Sequence, residues 1–417
     1  VNKAREPLSK SAGSVSDELN GLGKPKSTEI AAMVVLYLAF VAGDNKLSSI
    51  ISAAPDIELR AVGVVLVLIL TLVRGNGRSR MGGGYWLFFS AVWLGYLLLS
   101  TRWAPMNVSS YRSATAELLW LAVMASLAVL TIGLTKYGSQ VHLWWSAYGV
   151  GILFALAGLA SGAGSQGRFS AFGGGPNTFV RVVFIGLLAA VVLAIYRGQA
   201  RYLIPVPLLV VAVLLSGSRG GLVASALATL FLLGAIYRRI GLRAIVLSIA
   251  GVGAALGLLA FGSPLGNEVR KLLAQRVVTE AIGEGNLSGR SGLYAEAIRV
   301  FLENPLFGVG ASGFAQVQTV ISGESHAHNL ILSTLAEGGV LGGAVLALAF
   351  YACSRRLQFG GKASILAVGA SAGAVFIFVA AQFSGYYFDF RLFFLFVALA
   401  GSSSIVAKSE SRNDEAA

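Results

Sequence analysis

The chain holds one cysteine, Cys353, in 417 residues. That excludes an intrachain disulfide and a thiolate metal cluster. Charge is scarce: Asp, Glu, Lys and Arg make up 12% of the chain, where soluble domains average about 25%. No cleavable signal peptide is visible, no internal repeat, and no low-complexity stretch beyond the two polar tails. Histidine is nearly absent too, with three residues in all. Two of them, His326 and His328, stand two residues apart.

What fills the chain instead is apolar: 56% of residues are hydrophobic. Several runs approach the ~20 apolar residues that cross a bilayer. The reading is an all-α polytopic membrane protein of about twelve spans, near 30–43, 61–73, 84–100, 115–134, 143–162, 178–196, 202–217, 220–237, 244–262, 329–353, 363–383 and 388–407. Residues 1–28 read as a disordered cytoplasmic tail and 29–262 as a bundle of nine helices. Residues 263–328 read as one long extracytoplasmic loop, 329–407 as three more helices, and 408–417 as a second cytoplasmic tail. The loop carries two amphipathic patterns, NEVRKLLAQRVVTEAI and SGRSGLYAEAIRVFLENPLFGVG, which should lie on the membrane surface or cap the bundle.

Loop charge sets the orientation. With the N-terminus inside, the inner loops hold twelve basic residues, from Arg74 to Lys362, and no acidic one; the outer segments hold thirteen basic and eleven acidic. This is a positive-inside pattern with both termini cytoplasmic. It accounts for most of the net charge of +13, so nucleic acid is not needed to explain it.

Outer arginines run against that bias and therefore ask for a reason. Arg168 lies in the glycine-rich loop GRFSAFGGGPN, and Arg181 begins the span after it. Arg219 lies in SGSRGGL, a corner so tight that the guanidinium must sit near the membrane edge. Arg290 lies in SGRSG of the long loop. Guanidinium is always charged and grips phosphate bidentately, so several at one interface make a site for a diphosphate. The plainer role for each arginine alone is pairing with an outer carboxylate or a lipid headgroup.

The segment 324–342, ESHAHNLILSTLAEGGVLG, places the two histidines at the mouth of an apolar helix. Histidine is the usual general base near neutral pH, and equally a common helix-start residue. Its i, i+2 spacing lacks the i, i+4 geometry of a helical metal pair, and no metal is expected. Glu337 lies nine residues beyond His328, ~13 Å along a helix. It is expected to pair inside the bundle, with an arginine from a neighbouring span. The glycines that follow would let helices approach closely.

His328-Asn329, then nine residues, then Gly339-x-x-Gly342, resembles the histidine motif of the O-antigen ligase family. GRFSAFGGGPNTF is similar to that family's Arg-plus-Pro-Asn loop, and SGSRGGL to its arginine corner. GRSGLYAEAIRVFLENPLFGVGASGF resembles its long-loop segment, with Pro305, Gly308 and Gly310. The similarity spans about 165–345. It implies a GT-C-like membrane glycosyltransferase of the bacterial inner membrane, without cofactor or metal, with an extracytoplasmic site. The donor would be a glycan on undecaprenyl diphosphate, and the acceptor a glycolipid such as lipid A–core. His328 would activate the acceptor hydroxyl. Arg219 and Arg290 would hold the diphosphate, with Arg168 as a third contact and Arg181 as a weaker candidate. His326 and Glu337 are secondary candidates. A repeat-unit polymerase of the same superfamily shares this chemistry. From another class, a transporter or flippase for lipid-linked or anionic substrates would use the same arginines, although such folds commonly show repeats and none is seen.

Overall fold

The computed structural model describes residues 25–43, 57–73, 84–164, 167–237, 253, 290–320, 326–360 and 363–414, with side chains to residue 402. The expected span at 244–262, the first amphipathic pattern of the long loop and most of the N-terminal tail lie outside the described residues.

Among the described residues the chain is helical, with no strand. The helices are α1 Ser27–Ala42, α2 Leu59–Val73, α3 Gly84–Ser100, α4 Val108–Leu134, α5 Val141–Ser161, α6 Pro176–Arg197 and α7 Val206–Leu215. After these come α8 Arg219–Tyr237, α9 Ser291–Glu303, the single turn α10 Phe314–Val317, α11 Leu330–Ser354, α12 Ile365–Ser384 and α13 Arg391–Asp414. Six segments are long and apolar enough to cross a membrane: α4, Tyr137–Ser161 including α5, α6, α8, α11 and α12. Shorter apolar helices are α1, α2, α3 and Ala200–Leu215. This is a polytopic helical membrane protein. α13 continues to Asp414, through residues expected as a disordered tail.

Local chemistry sets several helix starts. Asn107 accepts from the Ser110 N–H at 2.8 Å to open α4, and Ser364 accepts from Ala367 at 3.1 Å to open α12. Such caps satisfy amides that have no intrahelical partner. Pro176 begins α6, where its missing N–H costs nothing. α6 crosses α5 where Gly151 meets Gly186, so closely that a Cβ on either would lie 2.6 Å from the other's Cα. α6 and α12 are the most buried spans, and the aromatic face of α13, from Phe393 to Phe396, packs into the same core.

α9 is amphipathic as expected, burying Leu293, Glu296, Ala297 and Val300. These join Phe314, Ala327 and Ala336 in a small second core against α11. The helix therefore caps the bundle. Along α9 Arg299 bonds Glu296 at 2.8 and 2.9 Å and Glu303 at 2.7 Å, and its Nη2 clips the helix to the following segment at the Val317 carbonyl at 3.3 Å. Glu296 also accepts the Thr319 N–H at 2.9 Å. The Arg299 bonds, aided by Thr319 and opposed by burial, lower the Glu296 pKa from 4.5 to about 2. A lowered folded-state pKa contributes stability above pH 4.5 that is lost as pH falls towards 2. Limited proteolysis after Val317 should accordingly speed up across that window, and Glu296→Gln should flatten the dependence.

α11 is broken in mid-course. Gly339 is non-helical at φ 61° and ψ −161°, and the backbone there pairs with the long loop. Val309 and Gly310 donate to the carbonyls of Ala336 and Glu337 at 3.1 and 2.8 Å, while Val340 and Leu341 donate to Pro305 and Leu306 at 2.7 and 3.3 Å. Tyr96 Oη covers the Gly338 carbonyl at 2.6 Å. Backbone opened at membrane depth must find partners within the protein, and the Pro305–Gly310 run supplies them. The two glycine motifs are thus halves of one joint.

Candidate functional site

The common thread of the site is the connector from α12 to α13, residues 382–391, QFSGYYFDFR. The segments singled out by their arginines and histidines meet here. Gly220, beside Arg219 at the start of α8, lies so close to Phe383 that any Cβ would overlap its side chain. Arg181, near the start of α6, donates to the Ser384 carbonyl at 2.8 Å and pairs with Asp389 at 3.0 Å. Asn329 opens α11 by accepting from Leu332 at 2.9 Å, and its amide donates to the Gln382 carbonyl at 3.1 Å. Tyr294 on α9 reaches the same carbonyl at 3.5 Å.

The Arg168 loop is tied to the Arg219 corner. Arg168 Nε donates to the Ser216 carbonyl at 3.2 Å, and its Nη2 to Asn177 Oδ1 at 3.4 Å. Ser218 Oγ donates to that same Oδ1 at 2.8 Å and accepts from the Gly221 N–H at 3.2 Å. Gly217 makes the turn at φ 59°, a region that strains most other residues. Arg168 and Arg219 therefore flank one hydrogen-bonded corner, both half-buried. Arg290 immediately precedes α9. Burial raises the Tyr294 pKa and the Arg290 charge works against that rise, which places Arg290 beside the tyrosine that reaches Gln382. Arg181 differs from these three. It is buried and committed to Asp389 and Ser384, so it braces the site from within.

The histidine rings lie together, with centroids 4.3 Å apart, and His326 lies over Tyr386 at 4.8 Å. His328 has φ 55°, a left-handed backbone that few residues other than glycine adopt. Glu337 is fully buried, and its partners correct the expectation of an arginine. They are two phenols, Tyr387 Oη at 2.7 Å and Tyr386 Oη at 3.1 Å, and the backbone amides of Ser312 and Phe314. Tyr386 Oη also lies 2.8 Å from Ser312 Oγ. Burial first, and the Glu337 carboxylate second, push both phenol pKa values up, so both stay protonated and able to donate. The break at Gly339 and the fold of the connector bring Glu337 within one tyrosine of His326, a link that helical spacing does not reveal. Glu337→Ala should leave two buried hydroxyls without their acceptor, at about 1–3 kcal/mol each. Glu337→Gln keeps an acceptor and should unfold closer to wild type in a thermal scan.

A cleft of about 340 Å³ opens beside His326. It is lined by Met106, by Ser110, Ser113, Ala114 and Glu117 of α4, by Ser312, Ala315 and Gln316, and by His326, Tyr386, Phe388 and Asp389. Neither His328 nor any arginine lines it. Among the described residues no group of three His, Cys, Asp or Glu is placed to hold a metal ion. Gln382, Tyr386, Tyr387, Asp389 and Glu117 escaped the sequence reading. The signal available for four of them was the polar run QFSGYYFDFR between two apolar spans.

The site thus sits at one end of a helical membrane bundle, where the N-terminal ends of α4, α6, α8 and α11 meet the C-terminal end of α12. Residues 204–347 match the model of a family described as O-Antigen ligase. Over that stretch the chain is similar to the O-antigen ligase family, the resemblance that its ordered motifs carry. The match takes in α7 to α10 and most of α11, and it begins after Arg168 and Arg181. No curated protein matches the chain.

Proposed function

We propose that the chain is a membrane glycosyltransferase that moves a glycan from undecaprenyl diphosphate to a glycolipid acceptor, lipid A–core being the type. In this reading it has twelve spans, cytoplasmic termini and its site on the outer face of the bacterial inner membrane. The observation that carries it is the meeting at residues 382–389 of the arginine corner, packed through Gly220 on Phe383, with the His328-Asn329 cap and the long-loop helix, which both hydrogen-bond the Gln382 carbonyl.

Arg219 and Arg290, with Arg168 beside Arg219, would hold the diphosphate. The N-terminal ends of α6, α8 and α11 add their positive dipole ends to that side. His328 takes the proton from the acceptor hydroxyl, and the oxygen attacks the anomeric carbon. The bond from that carbon to the diphosphate oxygen breaks, and undecaprenyl diphosphate leaves as the anion. The chemistry asks for positive charge where negative charge develops and for a base at the hydroxyl, and needs no metal or nucleotide sugar. Arg181 is a positioning residue through Asp389, and Glu337 through Tyr386. The left-handed backbone of His328 fits a residue held for function, since such strain clusters at working sites.

The test is transfer by the purified chain in nanodiscs from an undecaprenyl-diphosphate glycan, with and without chelator. Transfer of one preformed glycan to lipid A–core, unchanged by chelator, is expected. A ladder of lengths on the carrier lipid would assign the polymerase reaction instead. No transfer, together with movement of the lipid-linked glycan across vesicles, would replace the enzyme with a flippase.

A further inference from the structure

α9 packs on the bundle with one face and is apolar on the opposite one as well. Leu293, Glu296, Ala297 and Val300 are buried on the inner side. Ala295, Ile298 and Leu302, at i, i+3 and i+7, line the outer side, and all three are exposed. A cap washed by water would turn polar residues outward. Here the nearby charges, Arg299 and Glu303, keep to one flank and pair at 2.7 Å. The apolar face also runs past the end of the helix. Leu302, Leu306 and Phe307 are 68, 62 and 54% exposed. The main-chain bonds from Val340 and Leu341 to Pro305 and Leu306 join this run to two exposed apolar positions of α11. Trp103 extends the patch, its ring set edge-on to that of Phe307 at 6.3 Å. Exposed apolar residues standing singly are ordinary; a contiguous patch marks a contact surface.

Depth names the partner. α11 is long and apolar enough to cross a bilayer. It ends at Ser354, with Arg355 and Arg356 next in the chain. About 20 helical residues span the hydrocarbon core. Counted back from Ser354, they reach Thr334, so the joint at 336–341 lies inside the core. Leu306 and Phe307 are held to that joint and stand at the same depth. The patch is thus continuous with the face that α11 shows to lipid. Trp103 beside it is of the type enriched at membrane edges.

We propose that the outer face of α9 and the turn that follows it form a membrane-inserted wedge whose partner is the acyl region of the bilayer. Ala295, Ile298 and Leu302 lie against lipid at the bilayer edge, as in a helix bound at the interface. Leu306 and Phe307 dip among the chains. The non-helical backbone of the turn tolerates that depth because α11 supplies its hydrogen bonds, the condition for opened backbone inside a membrane. The helix that brings Tyr294 to the Gln382 carbonyl is then gripped on two sides, by α11 within and by lipid without. This contact holds whatever reaction the chain performs.

The experiment places one nitroxide at a time on the full chain in phosphatidylcholine nanodiscs. Cys353, the chain's one cysteine, is first replaced by alanine. Labels then go on Leu302→Cys and Phe307→Cys, with Leu348→Cys on the exposed face of α11 as the lipid reference and Ser109→Cys at the exposed start of α4 as the water reference. Electron paramagnetic resonance reads collision with oxygen, which concentrates in lipid, against collision with a water-soluble nickel chelate. Leu302→Cys and Phe307→Cys should favour oxygen several-fold over Ser109→Cys, with Phe307→Cys close to Leu348→Cys. Labels reached by nickel as readily as Ser109→Cys would overturn the proposal. Labels reached by neither reagent would overturn it too, since protein would then cover the face. A second measurement needs no substitution. Wild type is irradiated in nanodiscs whose lipids carry a diazirine in the acyl chain, and the adducts are mapped by mass spectrometry. Adducts within 295–307 are expected alongside those on α11; adducts on α11 with none in 295–307 would refute the wedge.

Discussion

Gly339→Val is expected to yield little folded protein, and Gly308→Val the same. Both glycines have left-handed backbones, at φ 61° and 63°, which for a β-branched residue cost on the order of 1–3 kcal/mol. Overlap adds to that. A Cβ on Gly339 would run into the backbone of Leu306, and one on Gly308 into the carbonyl group of Glu337. These neighbours are main chain and cannot rotate aside, and overpacking of this kind costs about 1–3 kcal/mol more. The sum is a large share of the ~5–15 kcal/mol that holds a typical domain. Separating the two segments of the joint would also expose the amides and carbonyls that now pair across it. Gly343→Ala is the contrast. Its Cβ would meet only the tip of the Leu335 side chain, at 2.7 Å, and that tip can move. Detergent-extracted yield and thermal unfolding of the three variants would check this. Folded Gly339→Val with wild-type stability would mean that the joint between 305–310 and 336–341 is not what holds α11 open.

The joint also shows what a sequence discloses and what it withholds. Apolar runs announce helices because each must satisfy its own backbone in lipid, and the described helices fall on the runs expected of them. The arginines could be picked out because they oppose the charge bias of outer loops. That Pro305–Gly310 pairs with 336–341 could not be read. Two glycine-rich runs look alike whether they ease helix packing or exchange main-chain hydrogen bonds. Glu337 shows the same limit. Its burial was foreseeable from its place in an apolar helix. Its partners come from the connector after α12, fifty residues on, and tyrosine is so common at membrane edges that Tyr386 and Tyr387 carried no special signal. Arg181 had the look of a ligand-binding residue, and only the fold shows its guanidinium turned to Asp389 and Ser384.

His328→Gly is expected to keep or raise stability while lowering transfer ~10²–10⁴-fold, the usual worth of a general base. Glycine suits the left-handed backbone at this position better than histidine does. A residue retained only as a helix-start spacer would therefore tolerate the change, whereas a base would not. The same exchange separates the two histidines. His326 lines the cleft and lies against Tyr386, one ring removed from His328, so His326→Ala should lower kcat less than His328→Gly does. Arg219→Lys completes the set. It keeps the charge but gives up the bidentate fork, and should lose about tenfold or more in kcat/KM towards the diphosphate donor, with Arg219→Ala losing more. Initial rates for the four variants, each measured against donor and acceptor in turn, give the result. If His328→Gly transfers at the wild-type rate and His326→Ala loses kcat, the base is His326. The network from Glu337 through Tyr386 would then orient the base itself, as well as the wall of the cleft beside it.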